Sequence, residues 1–489
     1  MLFNTVDFVI FFIFVLATIA IIRNRNFQHF FLLFASFFFF YYTSTYLISL
    51  LIASTLLDYY LGREIWKSEN LRRKKILLTA SLAGNLGLLG FFKYVNFGIE
   101  QFNVLSSSLG LNDMEFLNIA LPIGISFYTF QTISYTVDIY RGKLVPCNSF
   151  KEFALFVSFF PQLVAGPIVR ATVFLPQLRE KLEKVDFHKN IRQIIIHNSN
   201  LKLGLTIMAF GFFKKMFFAD NIAPLVNDIF EYPVGHESFT IILGAIAFGI
   251  QIYSDFSGYS DIAIGVALIL GFKLPVNFNK PYFAYSPSDF WRRWHMSLSS
   301  WLRDYLYIPL GGNKKSEKRT YINLTIVMFL GGLWHGASWN FVIWGILHGA
   351  YLAIHKILLY RIPYLGHHQF FKTKIGFAIS ILITQYFVFL AWIAFRVRNI
   401  DDLMYSMEKY IVPDFLFEKT YEIILTHKFE VSLMIVFFVL HYISYKKADL
   451  PEKISKFRLP FWLAFLFVLI TGILFFYNGN PEDFIYFQF

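Results

Sequence analysis

The sequence predicts an all-α polytopic membrane protein with about 11 to 13 transmembrane or re-entrant helices. Hydrophobic residues make up 56% of the 489 residues and charged residues only 16%, whereas soluble domains carry roughly 25% charged residues. Aromatic residues reach 20%, including 62 phenylalanines, and the mean hydropathy is +0.52. Several apolar runs approach the length of about 20 residues that a membrane-spanning helix needs. A very large soluble core is therefore disfavoured.

Apolar runs separated by short polar segments follow one another along the whole chain. The first run is preceded by no basic residues and followed by no small-residue cleavage site, so we expect a retained span rather than a signal peptide. Two weaker pieces, 152–166 and 284–310, are interpreted as interfacial or re-entrant. The predicted spans cover residues 6–22, 30–42, 45–61, 76–95, 116–137, 203–226, 238–254, 259–272, 321–334, 339–357, 374–395, 430–445 and 459–477.

The net charge of +12 comes from Lys and Arg residues in the segments between the apolar runs. Segment 273–319, for example, holds nine Lys or Arg against three acidic residues. Basic loops face the cytoplasm in membrane proteins, and one topology satisfies all of them, with both termini outside the cytoplasm. We therefore interpret these basic residues as signals of membrane topology and not as a binding site for nucleic acid.

The chain shows no internal repeat and no segment with the composition of a soluble domain. We therefore expect a single membrane-embedded domain over 1–489, with its catalytic core in 273–357 and an extracytoplasmic tail at 478–489. The single cysteine, Cys147, cannot form an internal disulfide, and no metal-binding spacing of Cys and His is present. No metal and no permanently bound cofactor is expected.

Residues 286–305 combine aromatic and basic side chains. Ser286 or Ser288 can cap a helix opened by Pro287. One interpretation is an amphipathic interfacial helix. The other is an anion site, in which guanidinium groups meet phosphates and His295 reaches into a cavity. Helical spacing places two sets of side chains on different faces: Phe290, Trp294, Ser297 and Trp301 on one, and Arg292, His295 and Ser299 on the other.

A second polar stretch, 331–349, interrupts two apolar runs. His335 lies at or near membrane depth there, where an ionisable residue is a functional candidate. Glycines around it allow close approach of another backbone or a ligand. His348 follows in a glycine-containing helix, and the better interpretation for it is a core histidine bonded to a neighbouring helix.

A histidine at this depth suits acyl transfer from a thioester to a hydroxyl group. The hydroxyl must lose its proton as it attacks, and imidazole is basic enough near neutral pH. Burial keeps the ring neutral before the reaction. A second buried polar group can orient the thioester or stabilise the oxyanion.

Two further features carry polar groups into apolar surroundings. Asp255 and Asp261 interrupt the spans near 251–261, either as a polar helix turn bonded to its own backbone or as part of a site. The stretch 161–167 contains two prolines and a glycine and predicts a re-entrant bend buried inside the protein.

The C-terminal sequence Asp-Phe-Ile-Tyr-Phe-Gln-Phe, residues 483–489, has two interpretations. Composition favours an aromatic belt at the membrane surface. Alternatively, the phenol of Tyr486 dips back into a cavity and accepts an acyl group, because a phenolate is a usable nucleophile.

Several motifs in this order resemble the membrane-bound O-acyltransferase superfamily. The resemblance is greatest to the bacterial branch that contains the alginate and peptidoglycan O-acetyltransferase membrane subunits, and it extends from about residue 1 to 357 and into the tail. The motifs are Leu-Pro-Ile-Gly-Ile-Ser-Phe-Tyr at 121–128, Val-Ala-Gly-Pro at 164–167, Tyr-Ser-Asp-Phe-Ser-Gly-Tyr-Ser-Asp-Ile-Ala-Ile-Gly at 253–265, Phe-Trp-Arg-Arg-Trp-His-Met-Ser-Leu-Ser at 290–299 and Gly-Gly-Leu-Trp-His-Gly at 331–336.

This resemblance implies a fold of helices around a central funnel or tunnel and assigns roles to three residues. His335 would be the catalytic histidine, His295 its partner and Tyr486 an acyl relay. Acetyl-CoA would enter from the cytoplasm, and a secreted esterase-like (SGNH-type) transferase would carry acetyl to the polysaccharide. The expected donor-binding residues are Arg292, Arg293, Trp294, Trp301 and Trp334.

Two alternatives remain open from the sequence. One is a D-alanyl transferase of teichoic acid synthesis, from the same superfamily, in which the tyrosine motif lies on a separate protein. The other is a membrane transporter with His335 on a proton path. The abundance of Phe, Ile, Lys and Asn indicates an AT-rich genome. This makes a protein specialised for alginate less expected, so peptidoglycan is favoured over alginate as the acceptor.

Overall fold

The computed structural model describes residues 1–22, 24–163, 166–183, 198–362, 368–477, 479, 482 and 484–487. Within these ranges the chain is helical, with turns and irregular connections and no strand, so the predicted all-α class is confirmed. The first eleven helices are α1 Val6–Ile21, α2 Arg25–Ser44, α3 Ile48–Lys67, α4 Leu71–Ser108, α5 Ile125–Tyr140, α6 Phe150–Ser158, α7 Phe160–Leu163, α8 Ala171–Glu183, α9 Asn198–Phe212, α10 Asp220–Glu231 and α11 Ser238–Ile269.

The remaining helices are shorter on average. A wide π-helical turn, Phe213–Ala219, connects α9 to α10, and a second one, Arg303–Tyr307, follows α13. The helices are α12 Pro287–Trp291, α13 Met296–Leu302, α14 Glu317–His335, α15 Trp339–Arg361, α16 Gln369–Lys372, α17 Lys374–Arg396, α18 Ile400–Ile411, α19 Glu418–Thr426, α20 Lys428–Lys446, α21 Leu450–Ser455 and α22 Leu459–Phe475; single 3₁₀ turns are Thr45–Leu47, Pro281–Phe283 and Ile485–Phe487.

Six of the described helical stretches are long and apolar enough to cross a membrane, and α1 and α22 are shorter apolar helices. Large apolar side chains on such helices are exposed, as with Phe467 and Val468 of α22 at 71% and 70%. This pattern suits contact with lipid rather than water. The chain is therefore a multi-pass membrane protein. The six stretches are Asn26–Lys67, Leu71–Ser108, Ser238–Ile269, Trp339–Arg361, Lys374–Arg396 and Lys428–Lys446.

Two predicted span boundaries were wrong. The predicted spans 238–254 and 259–272 form one continuous helix, α11. The chain need not break there because the carboxylate of Asp255 pairs with the ammonium of Lys215 at 2.9 Å and is buried inside the protein. The span predicted from residue 116 begins as a helix only at Ile125, after Gly124 in the left-handed conformation (φ 78°).

The piece at 152–166, predicted to be interfacial or re-entrant, contains two short helices, α6 and α7. Every residue of α7 is buried, and α6 is buried from Glu152 to Ser158. The predicted bend over 161–167 includes residues 164 and 165, which lie outside the described residues.

The chain divides into two compact units, and each is described by itself. The first comprises Met1–Met208 and Ser260–Pro275. Helices α3, α4 and α5 are joined there by a buried polar network around Asp58. Its two carboxylate oxygens accept hydrogen bonds from Ser81 Oγ and Asn85 Nδ2, both at 2.6 Å, and Thr132 Oγ1 donates to Asn85 Oδ1 at 3.0 Å. Such bonds hold membrane helices together where hydrophobic burial alone gives little preference.

The second unit comprises Ala209–Tyr259 and Val276–Phe489. Helices α14 and α15 approach closely because small residues face each other: a Cβ added to Gly345 would lie 2.5 Å from the carbonyl oxygen of Met328, and one on Gly332 would overlap the carbonyl oxygen of Phe341. Glycine is required at such contacts between membrane helices. This packing fixes the C-terminal end of α14.

Candidate active site

His335 is the last residue of α14 and is 4% exposed. The helix ends there because Gly336 is extended (φ −159°, ψ 153°), and a Cβ on Gly336 would overlap the ring of Phe341. Aromatic rings pack around the imidazole, and the nearest of the described ones have centroids at 4.9 Å (Trp344), 5.0 Å (Trp334), 5.2 Å (Phe395) and 5.4 Å (Tyr486). The predicted membrane-depth histidine therefore lies in an aromatic environment that excludes water.

The segment around His295 is not the single amphipathic helix that its spacing predicts. Ser286 caps α12 by accepting a hydrogen bond from the N–H of Asp289 at 3.1 Å, with Pro287 at the first position, as expected. The helix then ends at Trp291, and α13 begins only after His295. His295 has φ 40° and ψ 55°, a left-handed conformation that is rare for a residue with a side chain. Backbone strain of this kind is frequent at functional sites.

Asn277 holds His295 in this turn. Its side-chain oxygen accepts hydrogen bonds from the main-chain N–H and the hydroxyl of Ser297, at 3.3 and 2.9 Å. Because a main-chain N–H can only donate, these bonds identify the Asn277 atom as the oxygen. His295 Nδ1 lies 3.1 Å from the same oxygen, so Nδ1 carries the proton and Nε2 carries the lone pair. Nε2 is buried and has no hydrogen-bond partner among the described residues.

The C-terminal tail packs close to His295 and His335. Phe484 and Ile485 are buried, and Tyr486 is packed against the aromatic core of the second unit. The ring of Tyr486 lies 4.5 Å from that of Phe256, 5.4 Å from His335 and 6.4 Å from His295, as centroid distances. Residues 478, 480, 481, 483, 488 and 489 of the predicted tail lie outside the described residues.

The three predicted catalytic residues are therefore neighbours, although they come from distant parts of the chain. The rings of His295 and His335 are 6.5 Å apart, and Tyr486 is close to both. Two imidazoles and one phenol in an apolar enclosure are groups that can serve as a base, a hydroxyl nucleophile and a hydrogen-bonding group that orients the reactants.

The five predicted donor-binding residues lie in different surroundings. Arg292 is exposed, whereas the guanidinium of Arg293 bonds the carboxylate of Asp289 at 2.8 Å. Trp294 is 1% exposed and packs on Trp392, with centroids 4.7 Å apart. Trp301 packs on Tyr305 at 5.1 Å. Trp334 lies beside both histidines, with ring centroids 5.9 Å from His295 and 5.0 Å from His335.

Asp255 is not part of a helix turn bonded only to its own backbone, so that interpretation was wrong. Its Oδ1 pairs with Lys215 Nζ at 2.9 Å, and its Oδ2 accepts a hydrogen bond from the N–H of Ile485 at 2.7 Å. The carboxylate is 2% exposed. It connects α11 to the tail that carries Tyr486.

His348 is a core residue, as predicted, and is 1% exposed. Its ring packs on Trp344 at 4.6 Å, Trp291 at 5.1 Å and Phe290 at 5.8 Å. The expected hydrogen bond to a neighbouring helix is not made by Nε2 within the described part of the chain. These surroundings are those of a core residue, and the catalytic role is predicted for His335 and not for His348.

Two residues of this region were not identified from the sequence. Lys215 was overlooked, although a lysine inside the apolar run 203–226 is costly at membrane depth and marks a candidate. Asn277 was not singled out as a functional residue. No local signal identifies its contact with His295, because the hydrogen bond joins residues 18 positions apart in sequence.

Residues 143–400 match the sequence profile described as MBOAT, membrane-bound O-acyltransferase family. A protein of Azotobacter vinelandii named "Probable alginate O-acetylase AlgI" is 40% identical over 362 residues, covering 72% of this chain and 66% of that protein. A "Peptidoglycan O-acetyltransferase" of Helicobacter pylori is 37% identical over 381 residues, covering 73% of this chain and 68% of the relative.

A more distant relative is the "Teichoic acid D-alanyltransferase" of Streptococcus thermophilus, 30% identical over 252 residues, covering 48% of this chain and 57% of the relative. The alignments with the alginate O-acetylases of Azotobacter vinelandii and Pseudomonas aeruginosa span 66% and 62% of those proteins, just under two thirds of their length.

Proposed function

Because this chain belongs to the membrane-bound O-acyltransferase family, we propose that it is a transmembrane O-acetyltransferase of the bacterial inner membrane. It transfers acetyl from cytoplasmic acetyl-CoA towards a cell-envelope or exported polysaccharide on the other side. The observation that carries the proposal is the convergence of His335, His295 and Tyr486, whose rings lie 5.4 to 6.5 Å apart although the tail and the histidines are far apart in sequence.

In the first step, the phenol oxygen of Tyr486 attacks the carbonyl carbon of the acetyl thioester. His335 takes the phenolic proton as the new C–O bond forms. The C–S bond breaks, and coenzyme A leaves as a thiolate that takes from His335 the proton lost by the phenol. The product is an acetyl ester of Tyr486.

In the second step, a hydroxyl group of an extracytoplasmic transferase of the SGNH or esterase-like type attacks the tyrosine ester. Tyr486 leaves as a phenolate and takes up the proton that the attacking hydroxyl loses, and the partner passes acetyl to a sugar hydroxyl. A phenol is a better leaving group than an alkyl alcohol, so the relay ester is activated for onward transfer. The acetyl group thus crosses the membrane while coenzyme A stays on the cytoplasmic side.

His295 is proposed to orient the reacting groups through Nε2. The hydrogen bond from Nδ1 to the oxygen of Asn277 places the proton on Nδ1. Neutral His295 therefore presents a hydrogen-bond acceptor at Nε2. An oxyanion needs a donor, so this tautomer favours the orienting role over oxyanion stabilisation.

The donor is proposed to approach the basic, cytoplasm-facing segment 273–319. Of the arginines predicted to bind it, Arg292 has the exposed guanidinium, which suits the phosphates of coenzyme A. Trp334, next to both histidines, is proposed to pack against the acetyl thioester. Both termini are proposed to be extracytoplasmic, which brings the tail to the site from the face opposite the donor.

The acceptor polymer is proposed to be peptidoglycan first and alginate next, and relatives bearing both names match this chain. The D-alanyl transferase remains the second candidate within the family, supported by the Streptococcus thermophilus relative. Donor identity separates the two, because a D-alanyl transferase would act on a carrier thioester and not on acetyl-CoA.

Intact-mass measurement of the purified protein after incubation with acetyl-CoA tests the proposal. The wild type is expected to gain one acetyl group, mapped to Tyr486. Tyr486→Phe and His335→Ala are expected to gain none, whereas the control Tyr477→Phe, which removes a phenol just before the tail, acquires the adduct. An adduct on another residue would reject the relay. No adduct and no release of coenzyme A, even with an extracytoplasmic partner, would favour another donor or a transporter.

A further inference from the structure

Lys215 lies in the π-helical turn Phe213–Ala219 and is 1% exposed. Its ammonium pairs with two buried carboxylates, Asp220 Oδ1 at 2.8 Å and Asp255 Oδ1 at 2.9 Å. These three side chains, called the lysine clasp below, come from the turn, from α10 and from α11. The π-helical turn widens the helix at this place, a local geometry that is frequent at functional sites.

The main chain of the tail contributes two hydrogen bonds to the clasp. Lys215 Nζ donates to the carbonyl oxygen of Glu482 at 2.8 Å, and the N–H of Ile485 donates to Asp255 Oδ2 at 2.7 Å. Buried charges are tolerated when they are paired and fully hydrogen-bonded. The clasp therefore offers one cationic donor and one anionic acceptor to a peptide, and the tail uses both.

A polar side-chain relay holds the same part of the tail. Asn227 Nδ2 donates to Glu482 Oε1 at 3.4 Å, and Arg396 Nη2 donates to Asn227 Oδ1 at 3.0 Å. The contacts to Glu482 and Ile485 lie on the N-terminal side of Tyr486. They fix the position of the chain immediately before the phenol that packs against His335.

We propose that the lysine clasp is a binding site for the main chain of the tail and positions Tyr486 for acetylation. Lys215 and Asp255 are positioning residues, since they act through residues 482 and 485 and not on the reacting atoms. The proposal rests on the proposed function for its catalytic consequence, but the hold on the tail is a physical property that can be measured without any turnover.

The alternative is that the clasp only stabilises the second unit. The two roles predict different responses to Asp255→Asn. This change leaves one ammonium and one carboxylate, a neutral pair, so we expect the protein to fold. It weakens the bond to the Ile485 N–H, because a neutral amide oxygen is a poorer acceptor than a carboxylate. A purely structural role would change the stability of the whole unit and not the tail in particular.

A second variant acts on the tail and not on the clasp. Ile485→Pro removes the N–H that Asp255 accepts, and proline is tolerated at the first position of a helical turn. Ile485→Ala removes most of the same side chain but keeps the N–H. The difference between these two variants therefore reports the main-chain hydrogen bond.

The first measurement is hydrogen exchange of the wild-type and variant proteins in detergent, comparing the tail peptide 484–487 with a peptide from α14. We expect tail exchange to rise about tenfold in Asp255→Asn and in Ile485→Pro, as the loss of a charge-assisted hydrogen bond implies, while α14 is unchanged. Equal exchange of the tail in wild type and both variants would show that the lysine clasp does not hold the tail. A uniform rise that includes α14 would assign it a structural role.

The second measurement is the rate of acetyl incorporation into Tyr486 during a single turnover. We expect it to fall about 100-fold in Ile485→Pro and Asp255→Asn relative to Ile485→Ala and wild type, since small misplacements of a nucleophile have effects of this size, with acetyl-CoA affinity unchanged. Faster exchange of the tail with an unchanged acetylation rate would show that the lysine clasp does not position Tyr486 for the reaction. A wild type that never gains the adduct would overturn the proposed function, while the exchange data would still decide whether the clasp holds the tail.

Discussion

The side-chain oxygen of Asn277 lies 3.1 Å from Nδ1 of His295, and this contact fixes which ring nitrogen carries the proton. The same oxygen accepts from the N–H of Ser297, so its orientation is set by the backbone. His295 itself has a left-handed conformation (φ 40°) between α12 and α13. The turn and the hydrogen bond together determine where Nε2 points, and neither follows from the local sequence.

Asn277→Ala is expected to reduce acetyl transfer on the order of 100-fold, because His295 loses the bond that fixes its tautomer and its ring orientation. Asn277→Asp keeps an acceptor oxygen at the same place and is expected to retain most of the activity lost in Asn277→Ala. The measurement is the single-turnover rate of coenzyme A release. Similar rates for Asn277→Ala and wild type would show that the tautomer of His295 does not matter.

Arg292→Gln is expected to raise the KM for acetyl-CoA about tenfold with little change in kcat, because an exposed guanidinium contributes to binding and not to the chemical step. The effect should weaken at high ionic strength, since salt screens exposed charges. Arg458→Gln, an exposed arginine in another basic loop, is the matched control and should leave KM unchanged. Equal KM values for the two variants would remove Arg292 from the donor site.

The helix class and the identity of the three converging residues could be predicted from the sequence, and their geometry could not. His335 was found because an ionisable side chain between apolar runs is unusual. The break at His295 was missed, since periodicity over 286–305 fits a helix and the competing hydrogen bonds come from Asn277. The continuity of α11 was missed for a similar reason: Asp255 resembled an interruption until its partner, Lys215, was known.

Gly345→Ala is expected to destabilise the protein by about 1–3 kcal/mol, the usual effect of overpacking, because the new Cβ would lie 2.5 Å from the carbonyl oxygen of Met328 and push α14 away from α15. The readout is the apparent melting temperature in detergent, together with transfer activity, since α14 ends at His335. Gly87→Ala in α4 is the control, because nothing lies within 4 Å of a Cβ there. Equal destabilisation by both changes would rule out close helix contact as the cause.

His348→Phe and His335→Phe form a pair that separates a core histidine from a reacting one. Both rings are buried among aromatic side chains, and phenylalanine approximates the ring shape while it removes both nitrogens. His348 packs on Phe290, Trp291 and Trp344, and no described residue bonds its Nε2. We therefore expect His348→Phe to retain transfer within about threefold of wild type, the range of a volume-tolerant core substitution.

His335→Phe is expected to abolish acetylation of Tyr486, because phenylalanine has no ring nitrogen to take the phenolic proton from the proposed nucleophile. Size-exclusion profiles and melting temperatures of the two variants should be similar, which separates lost chemistry from lost folding. If His348→Phe abolished transfer and His335→Phe did not, the base would be His348, and the reacting phenol would have to reach past Trp344, which packs on both histidines at 4.6 and 4.9 Å.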